Sequence, residues 1–316
     1  MGVNNKKCFV CANSKNNHTL VTPNYTSLDG KEHTYLVCAK CKGLQLVSST
    51  IDYEQIYNSG YGSFLIRKKG FLNKFFRKYR NKWAFWREGG VVGRLAFNFR
   101  KLPTDYTIVS KYASKNTPIL DVGCGIGNYL DELHDAGFSN LTGLDPFLLN
   151  NTRSLNGVKL YKSIISNFYG SYDLIISHHS FEHVADPNDF LKSIKKLLSN
   201  NGILIITVPI IDELYEEYGV HTSTIMPPQH TFMYSIKGLK FLALLNDFKI
   251  IEIMREAESY LQWSINSYLL KQKQYSKDAK VVPTRILKCL KKTARKIKDT
   301  GGGDNVSIVL RVNDNR

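Results

Sequence analysis

Residues 119–128 read Ile-Leu-Asp-Val-Gly-Cys-Gly-Ile-Gly-Asn, and this stretch decides the fold. A short apolar strand ends in Asp121. Three glycines follow at alternating positions, Gly123, Gly125 and Gly127, and a helical pattern begins at once with Tyr129, Leu130 and Leu133. Glycine lets the backbone turn tightly and leaves the strand end open to a ligand that must approach closely. The spacing is G-x-G-x-G, distinct from the G-x-G-x-x-G of dinucleotide-binding loops. Alone, such a cluster is equally a bare turn. Leu141-Thr-Gly-Leu-Asp145 supplies a second element, a strand ending in an acid 24 residues after Asp121. A carboxylate there can bind both ribose hydroxyls of an adenosine-containing ligand.

Outward from this stretch, buried strands alternate with helices. Strands are expected at 119–122, 141–144, 158–161, 172–177, 203–208, 249–254 and 306–312, with helices near 128–136, 187–198 and 236–246. That alternation predicts an α/β fold with a Rossmann-like, doubly wound, mostly parallel seven-stranded sheet.

Three segments, "ILDVGCGIGNYL", "LTGLDP" and "YDLIISHHSFEHVADP", resemble in order and spacing the motifs of class I S-adenosylmethionine-dependent methyltransferases, nearest to the ubiquinone and small-molecule type. The resemblance covers Thr117 to Phe248, with a final strand near Asn305–Val312. It implies that Gly123, Gly125 and Gly127 form the loop under the methionine and ribose part of S-adenosylmethionine. Asp121 would orient that loop and the cofactor's amino end. Asp145 would hold the ribose, Phe147 would cover the adenine, Ile164 would lie near it, and His178 would face the methionine part. His179 is then the first candidate base. His230, in a His-Thr-Phe-Met-Tyr-Ser segment like one that closes over the substrate in relatives, is the second, and His183 the third. The string H-x-x-E-H at 179–183 also matches a metalloprotease pattern. It follows a buried strand here rather than lying inside a zinc-binding helix, which rejects that reading.

Residues 1–50 hold Cys8-x-x-Cys11 and Cys38-x-x-Cys41, joined by a 26-residue, β-rich loop. Zinc wants four ligands, and a two-residue gap lets both thiolates of a knuckle face one ion, so the pattern predicts a structural zinc ribbon. No βαβ pattern surrounds either pair, which disfavours a redox role. No apolar run reaches the ~18 residues of a spanning helix, and the N-terminus lacks the apolar stretch of a signal peptide. The expected location is therefore cytoplasmic, with peripheral contact at the inner face of the plasma membrane. There thiols stay reduced, and the six cysteines are not a disulfide framework.

The net charge of +16 is concentrated in two places. Residues 67–101 contribute +11 and residues 271–298 contribute +10, which leaves −5 for the rest of the chain. The first stretch has a helical period: Phe71, Leu72, Phe75, Phe76, Tyr79, Trp83 and Trp86 fall on one face, with Lys74, Arg77, Lys78 and Arg80 opposite. The second repeats the design after Pro283. The expected organisation is a zinc-ribbon module over 1–50, a basic aromatic helical connector over 51–110, and a methyltransferase domain over 111–316 with a basic helical insertion at 258–300. Docking on the core, an anionic bilayer and RNA phosphates all fit such segments. Their large apolar content favours a membrane, with nucleic acid the less favoured partner. The expected acceptor is a sugar of a small-molecule, lipid-linked or nucleotide-linked glycan precursor. The alternative is a ribosomal or transfer RNA.

Overall fold

The computed structural model describes residues 7–24, 27, 29–47, 71–212, 215, 219–222, 224–256 and 303–313, with the backbone alone for Phe71 and His221. The second basic segment at 271–298 and the whole of the insertion expected at 258–300 lie outside these residues, as does the first part, 51–70, of the connector expected over 51–110. The chain divides into two compact units. One comprises Met1–Ile51, Phe181–Asp189 and Thr207–Ile308; the other comprises Asp52–Ser180, Phe190–Ile206 and Val309–Arg316.

The chain opens with three short strands, β1 (His18–Thr22), β2 (His33–Val37) and β3 (Leu44–Leu46). Helices α1 (Phe71–Trp86), α2 (Gly90–Phe99) and α3 (Thr104–Thr107) follow. Strand β4 (Ile119–Val122) is buried at all four residues, as its continuous apolar reading predicts. The glycine loop then leads into α4 (Asn128–Ala136), which buries Leu130, Leu133 and Ala136. Gly137 at φ 105 ends this helix: its N–H and that of Phe138 reach back to the carbonyls of His134 and Leu133. Next come β5 (Leu141–Leu144), the two-residue β6 (Thr152–Arg153), β7 (Lys159–Tyr161), β8 (Tyr172–His178) and α5 (Pro187–Leu197). Strand β9 (Leu198–Pro209) runs through the turn expected at Asn200-Asn201-Gly202. The turn signal survives only as Asn201 at φ 65. The described chain ends with β10 (Phe232–Met233), α6 (Ile236–Leu245), β11 (Phe248–Glu256) and β12 (Asn305–Val312).

The larger sheet has the order β11-β12-β9-β8-β4-β5-β7-β6. Strand β4 pairs in parallel with β5 and β8, and β5 with β7. The two-residue β6 adds an eighth, antiparallel edge strand to the seven expected. Because β4, β5 and β8 run the same way, their C-terminal ends share one edge. That edge carries the glycine loop, Asp145 and His178.

Strands β1-β2-β3-β10 form a second, four-stranded sheet within the first unit. Its pairings are antiparallel, and β10 joins from nearly two hundred residues downstream, with Phe232 opposite Gln45 and Met233 opposite Leu44. Tyr35, Val37, Leu44 and Leu46 share a core with Ile211, Ile225 and Met233. The N-terminal strands therefore belong to the same packed body as the segment around His230. Among the described residues, no helix is long and apolar enough to cross a membrane.

Candidate functional site

The cradle at the sheet edge is built by backbone conformation. Gly123, Gly125 and Gly127 all take positive φ, at 80, 52 and 82. A side chain at Gly123 would overlap Ser180, and a Cβ at Gly127 would come 2.8 Å from the Ser154 Cβ. The Gly125 N–H donates to Asp145 Oδ2 at 2.8 Å, and the Phe147 N–H donates to Oδ1 at 2.8 Å. Two backbone donors thus fix the Asp145 carboxylate beside the loop. Phe147 is half-buried, and Ile164 is exposed. Asp121 is buried, and its Oδ1 has no hydrogen-bond partner among the described residues. Burial pushes its carboxyl up to about 8, and the Asp145 charge adds to the rise.

The histidines fall into two groups. His178 and His179, at the end of β8, meet Asp105 from α3. His178 Nε2 lies 3.2 Å from Asp105 Oδ2, and His179 Nε2 lies 4.0 Å from the same oxygen. The His178 ring is held between Tyr106 and Tyr129, with centroids at 5.0 and 4.8 Å. His179 takes φ 52, a strained backbone for a residue with a Cβ, and keeps 28% of its side chain exposed. Burial alone would raise the Asp105 pKa, but the hydrogen bond and charge of His178, then the charge of His179, hold it below the usual carboxylate value. An ionised carboxylate behind two imidazoles can stabilise a proton taken up by either ring.

His183 and His230 form the second group, in the other unit, with ring centroids 5.0 Å apart. His183 lies in a 3-10 turn, Phe181–His183, and the following helix starts only at Pro187. His183 gives its Nδ1–H to the Gln229 carbonyl at 2.9 Å, and His230 gives its own to the Thr224 carbonyl at 2.7 Å. A neutral ring in either place then carries its lone pair on Nε2. With buried Glu182 they offer three ligand atoms within 4.8 Å of one another, a set able to hold a divalent cation. The neighbouring Gln229 side chain is buried, and its amide has no partner among the described residues.

The four paired cysteines converge. Cys8 and Cys41 Sγ lie 3.7 Å apart, Cys11 and Cys38 Sγ lie 3.4 Å apart, and all four are buried. The two knuckles share one geometry. In each, the first cysteine's N–H meets the carbonyl five residues on (Asn13, Gly43), and its carbonyl accepts from the N–H four residues on (Ala12, Lys42). Ala12 and Lys42 take φ 58 and 64. Thiolates ~2.3 Å from a tetrahedral zinc lie about 3.8 Å apart, so the donor set and spacing fit that ion. The contact with Cys41 lowers the Cys8 thiol, while the same contact and burial raise the Cys41 thiol.

A family model described as a methyltransferase domain matches residues 95–253, half of the chain. The chain belongs to the S-adenosylmethionine-dependent methyltransferases. It is 30% identical to the ubiquinone biosynthesis O-methyltransferase of Rickettsia canadensis over 149 residues, 42% of this chain and 60% of that protein. It is 27% identical to the tRNA U34 carboxymethyltransferase of Campylobacter lari over 175 residues, 50% of this chain and 60% of that protein. The chain thus spans about 60% of the length of these relatives. Among solved structures, the 1,6-didemethyltoxoflavin-N1-methyltransferase of Burkholderia thailandensis aligns with 88% of this chain and 98% of its own at a TM-score of 0.43 and 14% identity.

S-adenosylmethionine is the methyltransferase's cofactor, and the cradle fits it. The glycine loop holds three positive φ angles beside the strand end, Asp145 is oriented by two amides, and Asp121 keeps a buried oxygen with no hydrogen-bond partner among the described residues. One residue of this edge has no counterpart in the sequence reading: Asp105. It sits in a four-residue helix within the stretch taken as a basic connector. Its only sequence signal is a lone acid after Pro103, next to a strongly basic segment.

Proposed function

We propose that this methyltransferase methylates a hydroxyl, with His179 as general base and a sugar of a lipid-linked or nucleotide-linked surface-glycan precursor as acceptor. The observation that carries the reading is the pairing of His178 and His179 with the buried Asp105 carboxylate at the end of β8. An aliphatic hydroxyl must lose its proton as the new C–O bond forms, so its methylation needs a base beside the transfer site. S-adenosylmethionine supplies the electrophilic methyl group and leaves as the neutral thioether. The residues of the chain do the rest. His179 takes the hydroxyl proton, and Asp105 holds the imidazolium that results. His178, fixed between two tyrosines, holds Asp105 and faces the methionine part. Asp121, Gly123, Gly125, Gly127, Asp145, Phe147 and Ile164 hold the cofactor. His230 and His183 stand second and third as candidate bases.

Cys8, Cys11, Cys38 and Cys41 hold one structural Zn2+ in this reading. Four protein ligands close the coordination sphere, so the ion orders the N-terminal strands and takes no part in transfer. The acceptor is tested by incubating the protein with methyl-labelled S-adenosylmethionine and three substrate pools: sugar nucleotides with lipid-linked oligosaccharides, quinol precursors, and total RNA. Label in the glycan fraction, lost in His179→Ala, is expected. Label in RNA alone would replace the glycan reading with the RNA one.

A further inference from the structure

Helix α1 docks by the face its sequence marks as polar. Arg77 is buried and paired with Asp135 of α4. Arg80 is buried and pairs with Glu132 of the same helix. Asn81, fully buried, donates to the Glu132 carbonyl at 2.8 Å and to its carboxylate at 2.7 Å. Trp86 donates to the Ala136 carbonyl at 3.0 Å and packs with Phe85 on Phe138. Rotating α1 to bury its aromatic side would strand two carboxylates and two guanidiniums, a larger cost than exposing apolar surface. The sequence places Arg77 and Arg80 opposite the aromatic face, and the structure buries both. They are the anchor, and Leu72, Phe75 and Phe76 are the exposed side.

Helix α2 continues this arrangement. It packs on α1 through Gly93, where a Cβ would come 2.7 Å from the Tyr79 carbonyl oxygen and 3.2 Å from the Trp83 Cβ. With Gly93 inward, Val91, Leu95 and Phe99, spaced i, i+4, i+8, line the outer side. They are 74%, 62% and 97% exposed. Residues 87–89 alone join the two helices into a hairpin. Lys74, Lys78, Arg94, Arg100 and Lys101, on or just beyond these two helices, are exposed as well. The one acid of the stretch, Glu88, is occupied by Lys115 at 2.7 Å.

We propose that the α1–α2 hairpin is a lipid-docking surface that seats its apolar stripe in an anionic bilayer. The stripe needs an apolar medium and the cations of the hairpin need anions, and a leaflet of acidic phospholipid offers both in one surface. A second copy of the hairpin would bring the same positive charges against these, which opposes self-association. The docking surface stands on this hairpin alone and does not depend on which acceptor is methylated.

The test uses the full chain with vesicles of equal phosphatidylglycerol and phosphatidylcholine, and with phosphatidylcholine alone. The protein should sediment with the anionic vesicles only, and less at high salt. Leu95→Asp with Phe99→Asp should cut partitioning tenfold or more while melting temperature and S-adenosylmethionine affinity stay unchanged, since both side chains are exposed. Should that pair disturb the fold, Val91→Ser with Leu95→Ser serves the same purpose. Retained cofactor binding with lost vesicle binding separates this surface from the catalytic reading. Failure to bind anionic vesicles, binding undiminished in both double variants, or a solution dimer that the variants dissociate would each overturn the proposal.

Discussion

Burial pushes the Asp121 carboxyl, beside the glycine loop, up to about 8, and cofactor affinity is therefore predicted to depend on pH. Without cofactor, buried Asp121 is mostly protonated at pH 7, because burial and the Asp145 charge both penalise the carboxylate. A cationic ligand needs the ionised form, so binding expels a proton. Below about pH 8 the affinity for S-adenosylmethionine should then rise roughly tenfold per pH unit, about 1.4 kcal/mol each. Between pH 5.5 and 7.5 the expected gain is up to about a hundredfold. Titration calorimetry in buffers of different ionisation enthalpy measures both the affinity and the proton released, which should approach one at the acid end. Asp121→Asn should flatten the profile and abolish the release. The sign for folding is the reverse. The folded-state value lies above the unfolded one, so the cofactor-free protein loses stability as pH rises from about 4 to about 8. A wild-type affinity that is flat across this range, or a slope that persists in Asp121→Asn, would refute the reasoning.

Four further outcomes follow from the two units. Metal analysis of purified protein should give about one zinc per chain, and Cys38→Ser should remove it and lower the melting temperature while leaving cofactor affinity within about twofold. Tyr35→Phe removes a buried 2.7 Å hydrogen bond from the Tyr35 hydroxyl to the His230 carbonyl. It should cost about 0.5–1.5 kcal/mol of stability in thermal or denaturant unfolding, the net worth of one buried hydrogen bond. In the labelling assay, His179→Ala should lower turnover by roughly 10²–10⁴ with little change in cofactor affinity. Asp105→Asn should lower it less and shift the acid limb of the pH–rate profile to lower pH, since an imidazolium without its carboxylate loses its proton more readily and the ring is then the weaker base.

The central half of the fold was legible because its signals are local. Strands β4 and β5 and helix α4 start and stop where apolar runs, glycines and the final acid place them. What was not legible is pairing across sequence. Strand β10 is two residues long, and nothing in Phe232-Met233 announces that Leu44 and Gln45 lie opposite. The ribbon therefore reads as a separate module, although its core is shared with the segment around His230. The orientation of α1 was hidden for a related reason. Periodicity shows that a helix has two faces but not which one a neighbour wants. The acids Glu132 and Asp135 on α4 made that choice, and a stripe of carboxylates on an otherwise buried helix was the available clue. The histidines at 178, 179 and 183 look like one cluster because they are close in sequence. The 3-10 turn at Phe181–His183 instead groups His183 with His230.

Asp145 is the most exacting probe of the proposed cofactor site. Its carboxylate is held by the amides of Gly125 and Phe147 beside the glycine loop, where it can bind a ribose. Calorimetric titration of the wild-type protein with S-adenosylmethionine should give one site. Asp145→Ala should weaken it by an order of magnitude or more, from charge-assisted hydrogen bonds of roughly 1.5–3 kcal/mol each. No binding by the wild type, or equal affinity in the variant, would contradict the account.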